Sequence, residues 1–317
     1  MVIPKLLVVG ELNVDLILNK IQALPQVGKE MIADEMEMCL GSSSAIMAAN
    51  SAALGVDTTF CGVIGDDYFG DFILNELERK SVSCQHITRL QDQKTGCTLV
   101  LNYGQDRANV TFQGAMNALT INHIPFETPS VYQHLHISSL FLQKGLLNDI
   151  EQILINARAA GMTTSLDLQW DPAEQWAFDY ERCLPYVDVF MPNESELLAL
   201  TKAGSLDDAI EKIRPYLNTL ALKLGRKGSM GIRGEQQLTV PAFEAPHFAD
   251  AIGAGDSFNA GFIKKYITGA PLEDCLREGN MMGALNTTAA GGTGAFSDIS
   301  TISKNIKDFW GIESGLS

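Results

Sequence analysis

The chain has 317 residues, 46% of them hydrophobic, enough to bury one large α/β core with a small appendage. Its 23 Lys and Arg stand against 38 Asp and Glu, and a formal net charge of −15 repels a nucleic-acid backbone, so no nucleic-acid partner is expected. No stretch reaches the roughly 20 apolar residues that cross a bilayer, and the apolar start breaks at Gly10-Glu11, too early for a signal segment.

Six cysteines at 39, 61, 84, 97, 183 and 275 have neither C-x-x-C nor metal-ligand spacing, which predicts reduced thiols in a cytoplasmic protein. Five histidines lack partners at catalytic or metal spacing and are expected to be structural.

Short apolar runs at 6–9, 58–63, 135–138, 163–168, 187–191 and 219–224 read as buried strands. Helical periodicity at 69–80, 147–160 and 206–216 alternates with several of them. The pattern predicts a mostly parallel sheet with helices on both faces, whose ligands gather at the C-terminal strand ends. Two stretches break the rhythm, 16–39 and 95–112, the second with a turn at 103–106. They are expected to add antiparallel strands to a single domain spanning 1–317.

Late in the chain, Asp250-Ala251-Ile252-Gly253-Ala254-Gly255-Asp256 opens an amphipathic helix pattern. Gly253, Ala254 and Gly255 have almost no side chain to hold a ligand away, so their N–H groups, with that of Asp256, can converge on an anion at the positive end of the helix. A carboxylate adds no attraction for phosphate. Asp256 is therefore expected to take a proton from a hydroxyl that attacks phosphorus. The alternative is a glycine-rich helix entry with an N-cap Asp.

Other motifs occur in order: 8–15 ending in Asn13-Val14-Asp15, then Gly41-Ser42-Ser43-Ser44-Ala45 before an alanine-rich run, then Gly62-Val63-Ile64-Gly65-Asp66-Asp67. Pro192-Asn193-Glu194-Ser195-Glu196 and Lys223-Leu224-Gly225-Arg226-Lys227-Gly228 follow. With the 250–256 turn, this series resembles the PfkB/ribokinase family of carbohydrate kinases over nearly the whole chain.

The resemblance implies a ribokinase-like fold in which the two irregular stretches form a β-sheet lid over a sugar, and through which two copies pair as a homodimer. It implies ATP as phosphoryl donor with Mg²⁺, and a small sugar as acceptor. Asn13 and Asp15 match the sugar-contacting pair, with Gly41, Ser42 and Ser43 in the following loop. Their alternative is loop capping after the first strand. Asn193 and Glu196 match the N-x-x-E motif, Glu196 organising Mg²⁺ through water. Asn-x-x-Glu is also capping-box chemistry, and the two readings are compatible. Lys223, Gly225 and Gly228 match the nucleotide-binding strand and turn, and Asn280 a nucleotide-contacting position. Asp250 and the Ile252 carbonyl match a monovalent-cation (K⁺) site.

Three departures stand out. Ala251 replaces the usual Thr, removing a hydroxyl that braces the loop. Ile46 replaces the Asn that commonly reads sugar hydroxyls. Ser43 is neutral where phosphosugar-directed members tend to carry lysine, which favours an unphosphorylated acceptor. The segment Asp167-Leu168-Gln169-Trp170-Asp171-Pro172 follows a central strand and is placed to line the acceptor pocket; Trp170 stacks on a sugar face or, in the alternative, packs in the core. The expected activity is a sugar kinase. The alternatives are a nucleoside kinase of the same fold, or a non-catalytic sugar-binding protein on this scaffold, against which a base in the anion turn argues.

Overall fold

The computed structural model describes residues 4–313 apart from positions 24, 104 and 105. In chain order the first half runs β1 (Lys5–Val9), β2 (Asn13–Asn19), β3 (Glu35–Leu40), α1 (Ser43–Ala53), β4 (Asp57–Gly65), α2 (Tyr68–Arg79), β5 (Ser83–Leu90), β6 (Gly96–Tyr103) and β7 (Asp106–Phe112). The second half runs β8 (His134–Ser138), α3 (Lys144–Leu147), α4 (Ile150–Ala159), β9 (Thr163–Asp167), α5 (Tyr180–Cys183), β10 (Val189–Phe190), α6 (Glu194–Thr201) and α7 (Leu206–Ile213). It continues with β11 (Thr219–Lys223), β12 (Ser229–Arg233), β13 (Gln236–Val240), α8 (Ala254–Tyr266), α9 (Leu272–Asn286) and α10 (Ile299–Trp310).

Among the described residues nine strands form one sheet in the order β13-β12-β11-β10-β9-β8-β1-β4-β5. From β11 to β5 every neighbour is parallel, while β12 and β13 append an antiparallel edge. Alternation along each strand splits the core in two. Leu7 and Val9 pack on one face with Ile153 and Leu154 of α4 and Leu197 of α6. Leu6 and Val8 pack on the other with Met47 of α1, Phe262 of α8 and Leu276 of α9. Both faces are covered, which is why the strands read as continuous apolar runs rather than alternating ones. From β1 the chain builds toward β4 and β5 on one side and later toward β8 and β9 on the other, so the crevice at the ends of β1 and β8 is the topological switch point.

The irregular stretches form a separate four-stranded sheet, β3-β2-β6-β7. Two of its pairings are antiparallel as expected, but β2 and β6 run parallel. Strands from two distant stretches must pair side by side here, and no hairpin turn links them. Asn13 and Asp15 lie on β2 itself rather than in a loop after the first strand. The turn expected at 103–106 falls partly outside the described residues. The helix expected at 147–160 is divided, α3 ending at Leu147 and α4 starting at Ile150. None of the six cysteines is in a disulfide. His134 and His136 are buried on β8, each hydrogen-bonded to Ser165.

Candidate active site

Helix α8 begins at the switch-point crevice. Its N-cap Gly253 has φ +73°, and a Cβ there would come within 2.6 Å of Gly292 Cα, so only glycine fits both the conformation and the space. The N–H groups of Gly253, Gly255 and Asp256 find no acceptor among the described residues, as the first turn of a helix leaves them. Asp256 is the third helical residue and does not cap the helix, so the capping alternative is not realised. Its buried carboxylate points to two neighbours instead: Oδ1 accepts from the Ser43 hydroxyl and, at 3.1 Å, from Gln169 Nε2.

Three further carboxylates crowd this point. Asp167, fully buried at the end of β9, accepts from Lys223 Nζ at 2.5 Å, from Asn259 Nδ2 at 2.6 Å and from Gln169 Nε2 at 3.3 Å, so that the Gln169 amide bridges it to Asp256. Lys223 Nζ also lies 3.7 Å from where a Cβ of Gly255 would sit, which brings the ammonium to the edge of the anion turn. Burial pushes the Asp256 carboxyl from 3.8 up to about 7; Asp167 and Glu11 push the same way, and the Ser43 hydrogen bond and Lys223 resist. Burial likewise raises Glu196, with Asp167 adding to the shift. For Lys223 burial alone would lower the pKa, but Asp167 and Glu196 outweigh it and the ammonium is held more firmly. Glu11, buried at the end of β1 against the Ser44 hydroxyl at 2.5 Å, is raised by desolvation. One ammonium thus faces more carboxylate than it can neutralise, an arrangement suited to a divalent cation.

β2 and the 41–43 loop carry the residues expected to meet an acceptor. Asn13 Nδ2 donates to Asp15 Oδ1 at 2.9 Å and to Thr98 Oγ1 at 3.1 Å. A Cβ on Gly41 would collide with both side chains, at 2.3 Å from Asp15 Oδ1 and 2.5 Å from Asn13 Nδ2, so glycine is compulsory there. Ser42 caps α1 with φ +71°, a conformation strained for a side chain, held by its hydroxyl donating to the Glu11 carbonyl at 2.5 Å and accepting from Ala45 N. Gln169, at φ +60°, is strained as well. Ile46 does not join this group. Its side chain is buried beneath the anion turn, where a Cβ on Gly292 would meet its Cδ1 at 2.4 Å.

Among the residues expected to meet a nucleotide, Asn193 and Lys223 are bridged strand-fashion and Lys223 N donates to Pro192 O. Asn193 and Glu196 complete a reciprocal capping box, each backbone N–H donating to the other's side chain at 2.9 Å. Gly225 and Gly228 have φ +57° and +97°, and at Gly228 a Cβ would strike Val240 O at 2.1 Å. Asn280 is not brought to the carboxylate cluster; its amide donates to the carbonyls of Val240 and Pro241 and pins that segment to α9. Asp250 accepts from Ile252 N and Gly291 N, both at 2.8 Å. Sequence reading left Asp167, Gln169 and Asn259 without roles, although an Asp and a Gln two residues apart after a strand were a visible signal.

Known carbohydrate and nucleoside kinases are similar to nearly the whole chain. The model of the pfkB family carbohydrate kinases matches residues 3–299. An uncharacterized sugar kinase of Archaeoglobus fulgidus is 28% identical over 73% of this chain and 91% of its own. The solved adenosine kinase from Sinorhizobium meliloti superposes with a TM-score of 0.80 at 21% identity, over 93% of this chain and 98% of that one. A double mutant of the Vibrio cholerae O395 fructokinase, bound to fructose, ADP and potassium, gives 0.78 at 23% identity, over 95% of this chain and 97% of that one. The fold is ribokinase-like, and the chain belongs to the pfkB family of carbohydrate kinases.

Proposed function

We propose that the chain transfers the γ-phosphoryl group of ATP to a hydroxyl of a small unphosphorylated sugar or sugar derivative in a single displacement. The observation that carries this reading is Asp256, a buried carboxyl raised to about 7 beside helix N–H groups that have no acceptor among the described residues, and already receiving a hydroxyl hydrogen bond from Ser43. The acceptor hydroxyl takes the place of Ser43, gives its proton to Asp256, and its oxygen bonds to the γ-phosphorus as the bond to the β–γ bridging oxygen breaks and ADP leaves. The turn 253–256 and Lys223 face the charge on the transferring oxygens. Mg²⁺ would fit the carboxylate excess, where Glu196 would hold it through water, and it would supply charge neutralisation at the phosphates. Asn193, Gly225, Gly228 and Asn280 shape the nucleotide side.

Asn13, Asp15, Gly41, Ser42 and Ser43 form the acceptor side. The side chain of Ser43 on this loop is neutral, which favours a neutral acceptor over a phosphosugar. Trp170, 48% exposed beside Gln169 and edge-on to Trp176, favours a nucleoside as the second acceptor class, since its ring is open to stacking. The lid supports pairing with a second copy: Met36, Val110 and Phe112 are exposed on one face of its sheet. Unpaired cysteines support a cytoplasmic setting.

The experiment is a thermal-shift panel of free sugars, sugar acids, phosphosugars and nucleosides, followed by ADP release from MgATP with each binder. A neutral sugar that both stabilises the chain and elicits ADP release is expected. Binding without turnover would leave only a sugar-binding protein.

A further inference from the structure

The family resemblance implies a monovalent cation held beside the anion turn by Asp250 and the Ile252 carbonyl, and the V. cholerae fructokinase structure holds potassium. The residues here do not fit such an ion. A potassium site needs several oxygens converging without hydrogens between them. In this chain the Ile252 carbonyl accepts from Asn286 Nδ2 at 2.5 Å, and both carboxylate oxygens of Asp250 accept backbone N–H groups.

The loop behind the turn is filled the same way. Gly292 O accepts from Asn50 Nδ2 at 2.9 Å, and Lys80 Nζ donates to Phe296 O at 2.7 Å and Thr293 O at 3.3 Å. Lys80 reaches the loop from the residue that ends α2 and is 9% exposed. No carboxylate lies within ion-pair distance of it among the described residues, so carbonyl oxygens are its direct partners, while Glu76 and Asp298 attract the ammonium from further off. That is the coordination a bare monovalent cation would receive. The loop it holds abuts the anion turn, since Gly253 has no room for a Cβ against Gly292.

We propose that Lys80, with Asn50 and Asn286, replaces the monovalent cation as the fixed positive group that holds the 290–296 loop against the anion turn, so that this chain does not depend on K⁺. The inference rests on the reading of 253–256 as the phosphoryl-transfer turn. Lys80 is a positioning residue: it acts through the loop and touches no substrate.

The test measures melting temperature and, with an acceptor found by the panel, turnover of the full chain in KCl, NaCl and tetramethylammonium chloride at equal ionic strength. The wild type is expected to be indifferent to the salt in both readouts. Lys80→Met, purified in KCl, is expected to gain a K⁺-specific rise in melting temperature and a roughly tenfold dependence of turnover on K⁺, whereas Lys80→Arg stays indifferent. Selective stabilisation or activation of the wild type by K⁺ overturns the proposal, and so does a Lys80→Met protein that behaves alike in all three salts. The wild-type melting arm decides even if Lys80→Met does not fold. If no acceptor is turned over, the phosphoryl-transfer reading fails while the melting arms still report on the cation.

Discussion

The Ser43 hydroxyl donates to Asp256 Oδ1, so the carboxylate proposed to receive a proton from the acceptor is held, in the free chain, by one of the chain's own hydroxyls. That bond also sets the carboxylate's acidity, because it opposes the burial that raises the Asp256 pKa. Ser43→Ala removes the opposition. The acid limb of kcat/KM is then expected to move to higher pH with little change in the plateau, measured across pH 5.5 to 9. An unmoved limb would mean Asp256 is not the group that titrates.

For Asp256 itself, the sign of the pH dependence follows from a pKa raised from 3.8 to about 7. The base works ionised, so kcat/KM should rise with pH through about 7 and level off above it. Stability runs the other way: the folded chain favours the protonated carboxyl, and stability falls as pH climbs from the ordinary value through about 7. Asp256→Asn should lower kcat by roughly 10² to 10⁴ while leaving ATP affinity nearly intact. Asn Oδ1 still accepts from Ser43 and Gln169. The variant should therefore melt higher than the wild type at pH 8, by an amount corresponding to at most roughly 4 kcal/mol, and show less advantage at pH 5.5.

Glu196 caps α6 and is proposed to hold Mg²⁺, two roles that one substitution separates. Glutamine keeps an oxygen to accept from Asn193 N, so the capping box survives Glu196→Gln, while the charge disappears. A higher Mg²⁺ concentration for half-maximal turnover, with an unchanged or raised melting temperature, is the expected result. An unchanged Mg²⁺ titration would leave the residue as a cap alone.

What could be read from the sequence was what is local. The capping box at Asn193 and Glu196, the 253–256 turn and the continuous apolar strands each occupy a few consecutive residues, and each is where it was expected. The rest depends on convergence. Asp167, Lys223 and Asn259 come from β9, β11 and α8, and Lys80 meets the carbonyl of Phe296 across 216 positions of chain. No periodicity encodes such pairings. The parallel pairing of β2 with β6 was hidden for the same reason, as local alternation fixes a strand's faces but not its partner's direction.

Ile46 shows how position in sequence can mislead about position in space. Aligned with a sugar-reading Asn, it predicts an acceptor lacking one hydroxyl contact, and a substitution effect specific to the acceptor. In the fold its side chain fills the space against Gly292 and Gly253, beneath the turn that every acceptor shares. Ile46→Asn would bury an amide among apolar and backbone atoms at a cost of roughly 1–3 kcal/mol, and Ile46→Val would lose a methylene for roughly 0.5–1.5 kcal/mol. Both should lower kcat through the turn, the first more than the second, and by the same factor for the native acceptor, ribose and fructose. Comparing kcat/KM for the three decides the matter. A uniform loss that tracks the drop in melting temperature places Ile46 under the anion turn, whereas a gain for ribose or fructose alone would place its side chain in the acceptor pocket after all.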